Sequence, residues 1–161
     1  MANPDDESRD ESEEGGRLHI DIESYLQKVS KPSDYTDWLK NPKKWEPVLR
    51  KKVKENPESY EALEDLGFFL RVMRRFREAK KVLKKALKLA PRDRDGASVW
   101  LSMGLLHYDE CDYEKAIQHF LEAIGLNEKH IRALYCLAHS YKQTKRFAEA
   151  EQLSITVWCR G

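Results

Sequence analysis

Apolar residues recur along this chain at steps of three and four, in paired blocks, and the pairs themselves repeat. Leu63, Leu66 and Leu70 are followed by Ala79, Leu83 and Ala86. Trp100, Met103 and His107 are followed by Ala116, Phe120 and Ala123, and Leu134, Leu137 and Tyr141 by Ala150, Ser154 and Val157. Such steps are the period of a helix with one buried face. Polar turns at Arg74-Arg75, Cys111-Asp112 and Lys145-Arg146 part the blocks, and each turn runs into an aromatic, Phe76, Tyr113 or Phe147. The pattern predicts helical hairpins. Each first block also carries a small residue at one fixed place, Gly67, Gly104 or Ala138. Glycine within a helix costs about 1 kcal/mol against alanine. Its use here predicts a close crossing, with Ala79, Ala116 and Ala150 as the facing small residues.

The spacing between hairpins is nearly constant. Gly104 to Ala138 is 34 positions, as is Ala116 to Ala150, while Gly67 to Gly104 is 37, with the extra residues at Arg94-Asp95-Gly96. An ordinary bundle does not require the same small residues at the same offsets; a solenoid does. The wording resembles the tetratricopeptide family, whose unit reads Trp-x2-Leu-Gly-x2-Tyr, then Ala-x3-Phe, then a closing proline. The middle unit matches best, with His107 in place of the aromatic and Glu128 in place of the proline. The first lacks the Trp and keeps Pro91; the third has Ser154 in place of the aromatic. The resemblance implies an all-α solenoid of antiparallel hairpins, with units at about 60–93, 97–130 and 131–161, the last one short.

The N-terminal part reads differently. Residues 1–17 hold seven acids (Asp5, Asp6, Glu7, Asp10, Glu11, Glu13 and Glu14) and almost no apolar side chain, the composition of a disordered acidic tail. Residues 18–56 read as a helical cap. Ile22, Tyr25, Leu26 and Val29 share one helix face, and Asp34 is placed to cap a short turn presenting Tyr35, Trp38 and Leu39. Because proline suits a helix's first turn, Pro47 is expected to begin a helix to Glu55. Trp45 would stand at its start, with Val48, Leu49 and Val53 inward. The cap would cover the first repeat's apolar flank; the rival is that Ile22, Tyr25 and Leu26 dock on a partner or in the protein's own groove.

Composition narrows the class. The chain has 161 residues, 40% apolar and 35% charged, with net charge +1, which describes one domain with a solvated helical surface. No run approaches the ~18 apolar residues of a membrane span, and no signal segment opens the sequence. Three cysteines, Cys111, Cys136 and Cys159, favour a reducing compartment over a disulfide framework, with cytoplasm as the expectation. No phosphate loop, nucleophile elbow or metal-binding cysteine pair is present, so neither catalysis nor a cofactor is expected. His107 with Cys111 and Cys136 with His139 share helix faces, but structural zinc takes four ligands and nothing completes either pair. His107 is instead expected in the core.

Two surfaces remain. The resemblance implies that first helices line a concave groove, where Phe68, Arg71, Leu101, Leu105, Tyr108, Arg132, Tyr135, His139 and Lys142 fall between core positions. Apolar anchors edged by cations suit a peptide or helix of a partner protein; otherwise these residues pack against the N-terminal segment or a further helix. The tetratricopeptide clamp for acidic chaperone tails is not met, since its positions hold Glu64, Phe68, Ser102, Arg132 and Cys136. The second surface is a basic stripe, Arg74, Arg75, Arg77, Lys80, Lys81, Lys84, Lys85 and Lys88, on the first unit's second helix. It reads as a solvated outer face or a site for an acidic protein or the chain's own acidic tail; nucleic acid is disfavoured because aromatics for base stacking are few. The expected function is thus a non-catalytic adaptor or scaffold. A sharper resemblance, to class II chaperones of bacterial type III secretion, implies capture of translocator peptides. Here the repeats begin late and no helix follows the third. The third unit's last residues, Trp158-Cys159-Arg160-Gly161, lack a polar cap, so self-association, fraying or a chain cut from something longer is expected there.

Overall fold

The computed structural model describes residues 37, 38 and 40–160, and side chains as far as 153. Expectations for the acidic tail, for the face formed by Ile22, Tyr25, Leu26 and Val29, for Asp34, Tyr35 and Leu39, and for the outer side chains of the last helix lie outside the described residues. The described residues form seven helices and no strand: α1 (Pro42–Glu55), α2 (Tyr60–Val72), α3 (Phe76–Leu89), α4 (Ala97–Asp109), α5 (Tyr113–Leu126), α6 (Ile131–Gln143) and α7 (Phe147–Arg160). The fold is an all-α solenoid. Helices α2/α3, α4/α5 and α6/α7 are the three hairpins, and α1 packs on α2 ahead of them. First helices also touch one another, α2 with α4 and α4 with α6, so they make one face of the stack.

Local chemistry sets the ends of these helices. The Ser59 hydroxyl accepts from the Ala62 amide at 3.1 Å, and His130 Nδ1 accepts from the Ala133 amide at 3.3 Å. Each hairpin turn uses one residue in the left-handed region: Arg74 (φ 58°), Cys111 (φ 62°) and Lys145 (φ 61°). The next amide then closes back on the first helix, Arg75 N–H to the Leu70 carbonyl at 2.8 Å, Asp112 to His107 at 2.9 Å and Arg146 to Tyr141 at 2.8 Å. That closure normally takes glycine. None of the three hairpins has one there.

Hairpin packing corrects one expectation. A Cβ on Gly67 would lie 2.5 Å from Leu83 Cδ2, and one on Gly104 would lie 2.5 Å from the Phe120 ring. The glycines therefore face the large residue of the second helix, not Ala79 or Ala116. Those alanines are fully buried one turn earlier. Leu83 and Phe120, both fully buried, need the space that a missing Cβ leaves. In sequence the third unit places Ala138 and Ser154 at this pair of positions, shifting bulk from one helix to the other.

Helix α1 also departs from expectation. It begins at Pro42, and Pro47 lies inside it. The Asp37 carboxylate ties the early turn together, accepting from Asn41 Nδ2 at 2.8 Å and Trp45 Nε1 at 2.6 Å, and these bonds hold its pKa below the usual carboxylate value. Phase follows from that start. Trp45, Leu49 and Val53 face the core at steps of four, while Val48 is 49% exposed rather than inward. Trp38, from the short helical piece before α1, is buried against Trp45, Phe68 and Phe69, with ring centroids 6.1–6.4 Å apart.

Candidate functional site

The face made by α2, α4 and α6 carries the groove residues, and it is tied by polar pairs between successive units. Glu64 accepts from Ser98 at 2.8 Å and from Ser102 at 2.9 Å. Arg71 donates to Asp109 at 2.5 Å while its guanidinium lies 4.8 Å above the Phe68 ring. Farther along, the Tyr108 hydroxyl meets His139 Nδ1 at 2.6 Å, and burial lowers the His139 pKa and raises that of Tyr108. These partners stand 31 to 38 residues apart, close to one repeat length. Complementary residues at that offset were the signal a sequence reading could have used. Helical phase alone picks out most of these residues but not their pairing.

The structure redistributes the predicted groove set. Leu101 is buried, 4% exposed, within the core shared by α4, α5, α6 and α7, so it is not a groove residue. Its helix is flanked by α2 on one side and α6 on the other, and α4 is accordingly apolar nearly all round. Phe68 is half-buried under Trp38, so the first unit's aromatic is engaged by the chain's own N-terminal side. Leu105 and Tyr108 are half-buried against the second core cluster. Tyr135 and His139 are half-buried beside each other on α6, their rings 6.4 Å apart, and Lys142 is exposed. Arg132 is half-buried. Both Arg132 and Arg71 act electrostatically on Cys136, whose thiol burial pushes up to about 11. Burial thus favours the neutral thiol of Cys136 over its thiolate.

The basic stripe also divides. Arg75 donates to Glu46 at 2.6 Å and to Glu78 at 2.8 Å, and Lys80 donates to Glu110 at 2.6 Å. Arg74 lies over the Phe76 ring at 5.0 Å. These three serve the joints between neighbouring helices. Arg77, Lys81, Lys84, Lys85 and Lys88 are exposed and form no ion pair among the described residues.

His107 is buried at the α4/α5 contact and stacks on His119, with centroids 5.2 Å apart and planes at 12°. Its Nδ1 is 3.4 Å from the Glu110 carboxylate but lacks hydrogen-bond geometry, and Lys80 holds that carboxylate. Burial lowers both pKa values, that of His119 to about 4. Among the described residues no three His, Cys, Asp or Glu side chains converge as a metal site would need. No described helix is long and apolar enough to cross a membrane.

Known proteins share this arrangement. The sequence model of the tetratricopeptide repeat matches residues 58–129. A crystal structure of MamA superposes with a TM-score of 0.58 at 23% identity, covering 68% of this chain and 64% of that one. The MamA RS-1 ArsTM double mutant gives 0.64 at 22% identity, over 74% of this chain and 66% of that one. MamA AMB-1 gives 0.60 at 19% identity, over 87% and 74%. The chain thus spans slightly less than two thirds of the first two of these structures, and at such identities the likeness is one of fold. No curated protein matches the sequence. Three hairpins, two of them with glycine under a large second-helix residue, first helices in mutual contact and a repeat model matching residues 58–129 together give this chain a tetratricopeptide-like fold.

Proposed function

We propose that the protein is a non-catalytic adaptor that holds a segment of a partner protein against the face made by α2, α4 and α6. The carrying observation is that the second and third units leave Leu105, Tyr108 and His139 half-buried there, with Lys142 exposed beside them. Leu101 and His107 already fill the core at this level. The result is an apolar strip with polar tips and a cationic rim, which suits an extended or helical peptide. The unit order favours the third-unit end of the strip for entry, since Trp38 covers the first-unit end. Unpaired Cys111 and Cys136 fit a reducing compartment such as the cytoplasm.

The test is affinity capture from the source cell with quantification of each retained protein. Leu105→Ser with Tyr108→Ala should lose the specific partner by roughly tenfold or more, as removal of interface anchors does. The Tm of that variant is measured in parallel. A folded variant that retains every partner refutes the groove reading.

A further inference from the structure

The outer face of α3 carries a feature that the repeat fold does not require. Arg77, Lys81, Lys84, Lys85 and Lys88 follow one another at helical steps, so they occupy one side of α3, roughly 100° wide and about 16 Å long. All five are exposed and unpaired among the described residues. At the matching positions of α5, 37 residues on, stand Glu114, Gln118, Leu121, Glu122 and Gly125. The same place in the same hairpin is therefore built without a single cation. Like charges four apart, as in Arg77/Lys81, Lys81/Lys85 and Lys84/Lys88, each cost a helix a few tenths of a kcal/mol. The stripe weakens α3 slightly and contributes nothing to its packing.

The neighbouring cations show what this surface pairs with. Arg75 and Lys80, which reach adjacent helices, are met by the carboxylates of Glu46 and Glu110, both at 2.6 Å. The remaining five form no ion pair with a described residue, and the exposed acid of α3, Glu78, is held by Arg75 and Arg50. No aromatic stands among them to stack a base. Apart from the adjacent Lys84 and Lys85, their axial steps, roughly 4.5–6 Å, equal those of acids placed three and four apart on a second helix.

We propose that this face of α3 is a docking surface for an acidic helix of a partner protein, separate from the face made by the first helices. A synthetic helical peptide of about twenty residues, with Glu along one side, serves as the probe for the full-length protein in fluorescence anisotropy. A peptide of the same composition with its Glu residues scrambled, and a single-stranded oligonucleotide of equal charge, are the comparisons. The one-sided peptide should bind most tightly and weaken steeply with salt. Lys81→Gln, Lys84→Gln and Lys88→Gln together should weaken it about tenfold or more. Neutralising Lys40, Lys43 and Lys54, exposed cations elsewhere, should change it less than about twofold. Circular dichroism of both triple variants should be unchanged, since all the substituted side chains are on the surface. The proposal is overturned if the one-sided peptide does not bind at low salt. Equal weakening in both triple variants, or equal binding of the scrambled peptide or the oligonucleotide, would overturn it as well.

Discussion

The first and second hairpins share an interior and a turn but little of their surface. Ala79, Leu83 and Ala86 in α3 correspond to Ala116, Phe120 and Ala123 in α5, all fully buried, and each large residue rests on a glycine of the first helix. The surfaces diverge. Five outer positions of α3 are cations, whereas their counterparts in α5 are Glu114, Gln118, Glu122, Gly125 and a 47%-exposed Leu121. The first unit has no histidine; the second stacks two at its waist, His107 and His119. What the hairpin must satisfy is the crossing of its two helices, where close packing allows few combinations. Outward positions have no such constraint, so their differences carry what is specific to this protein.

The crossing is the strongest point at which to break the comparison. Phe120→Ala should destabilise by about 3–5 kcal/mol and Leu83→Ala by about 2–5 kcal/mol, measured by urea unfolding. Gly104→Ala should destabilise despite better helix propensity, because the added Cβ overlaps the buried Phe120 ring. Combined with Phe120→Ala, it should cost less than the sum of the two. Additive losses would mean that Gly104 and Phe120 are not the contact that fixes the crossing.

A smaller effect separates the hairpins by pH. Burial lowers the pKa values of His107 and His119, so the native state binds fewer protons than the unfolded chain between about pH 6.5 and 4. Stability must fall as pH drops through that window. Facing this stack are Lys80, Glu110, Asp112 and Lys115, of which Lys80 opposes protonation of His107 and Glu110 favours it. For His119 the loss is about 2 kcal/mol once its partial exposure is allowed for. Hydrogen exchange at pH 5 should show α4 and α5 opening more than α2 and α3. His119→Gln should remove most of the difference. Equal acid sensitivity in both hairpins would count against the stack as its source.

The smallest expected effect concerns the α3 stripe. Neutralising Lys81, Lys84 and Lys88 should leave stability unchanged or raise it by about 0.5 kcal/mol at low salt, by relieving like-charge contacts. A clear drop in Tm would show that these lysines serve the fold, and the contrast with α5 would lose its meaning.

Some of this was legible in the residues alone. The hairpins and their period follow from apolar spacing, and Gly67 and Gly104 announced a close crossing. Spacing points to Ala79 and Ala116 as their partners, one turn from the true contacts Leu83 and Phe120, because it locates a contact only to within a helical turn. Proline placement points to Pro47 as the start of α1, whereas the polar bonds of Asp37 to Asn41 and Trp45, which apolar spacing does not register, set it at Pro42. Leu101 looked like a groove residue because its counterparts, Glu64 and Tyr135, stand at equivalent positions in the end units.

The sequence by itself determined the repeating hairpin, since a buried helix face and a fixed repeat length are written in local apolar order. Only the tertiary structure decided which surface residues are taken. Stacking put Leu101 in the core, laid Trp38 on Phe68, and joined Arg71 to Asp109 and Tyr108 to His139. It also left five cations of α3 without partners among the described residues. Burial and pairing between units depend on neighbours a whole repeat away, and no local period encodes them.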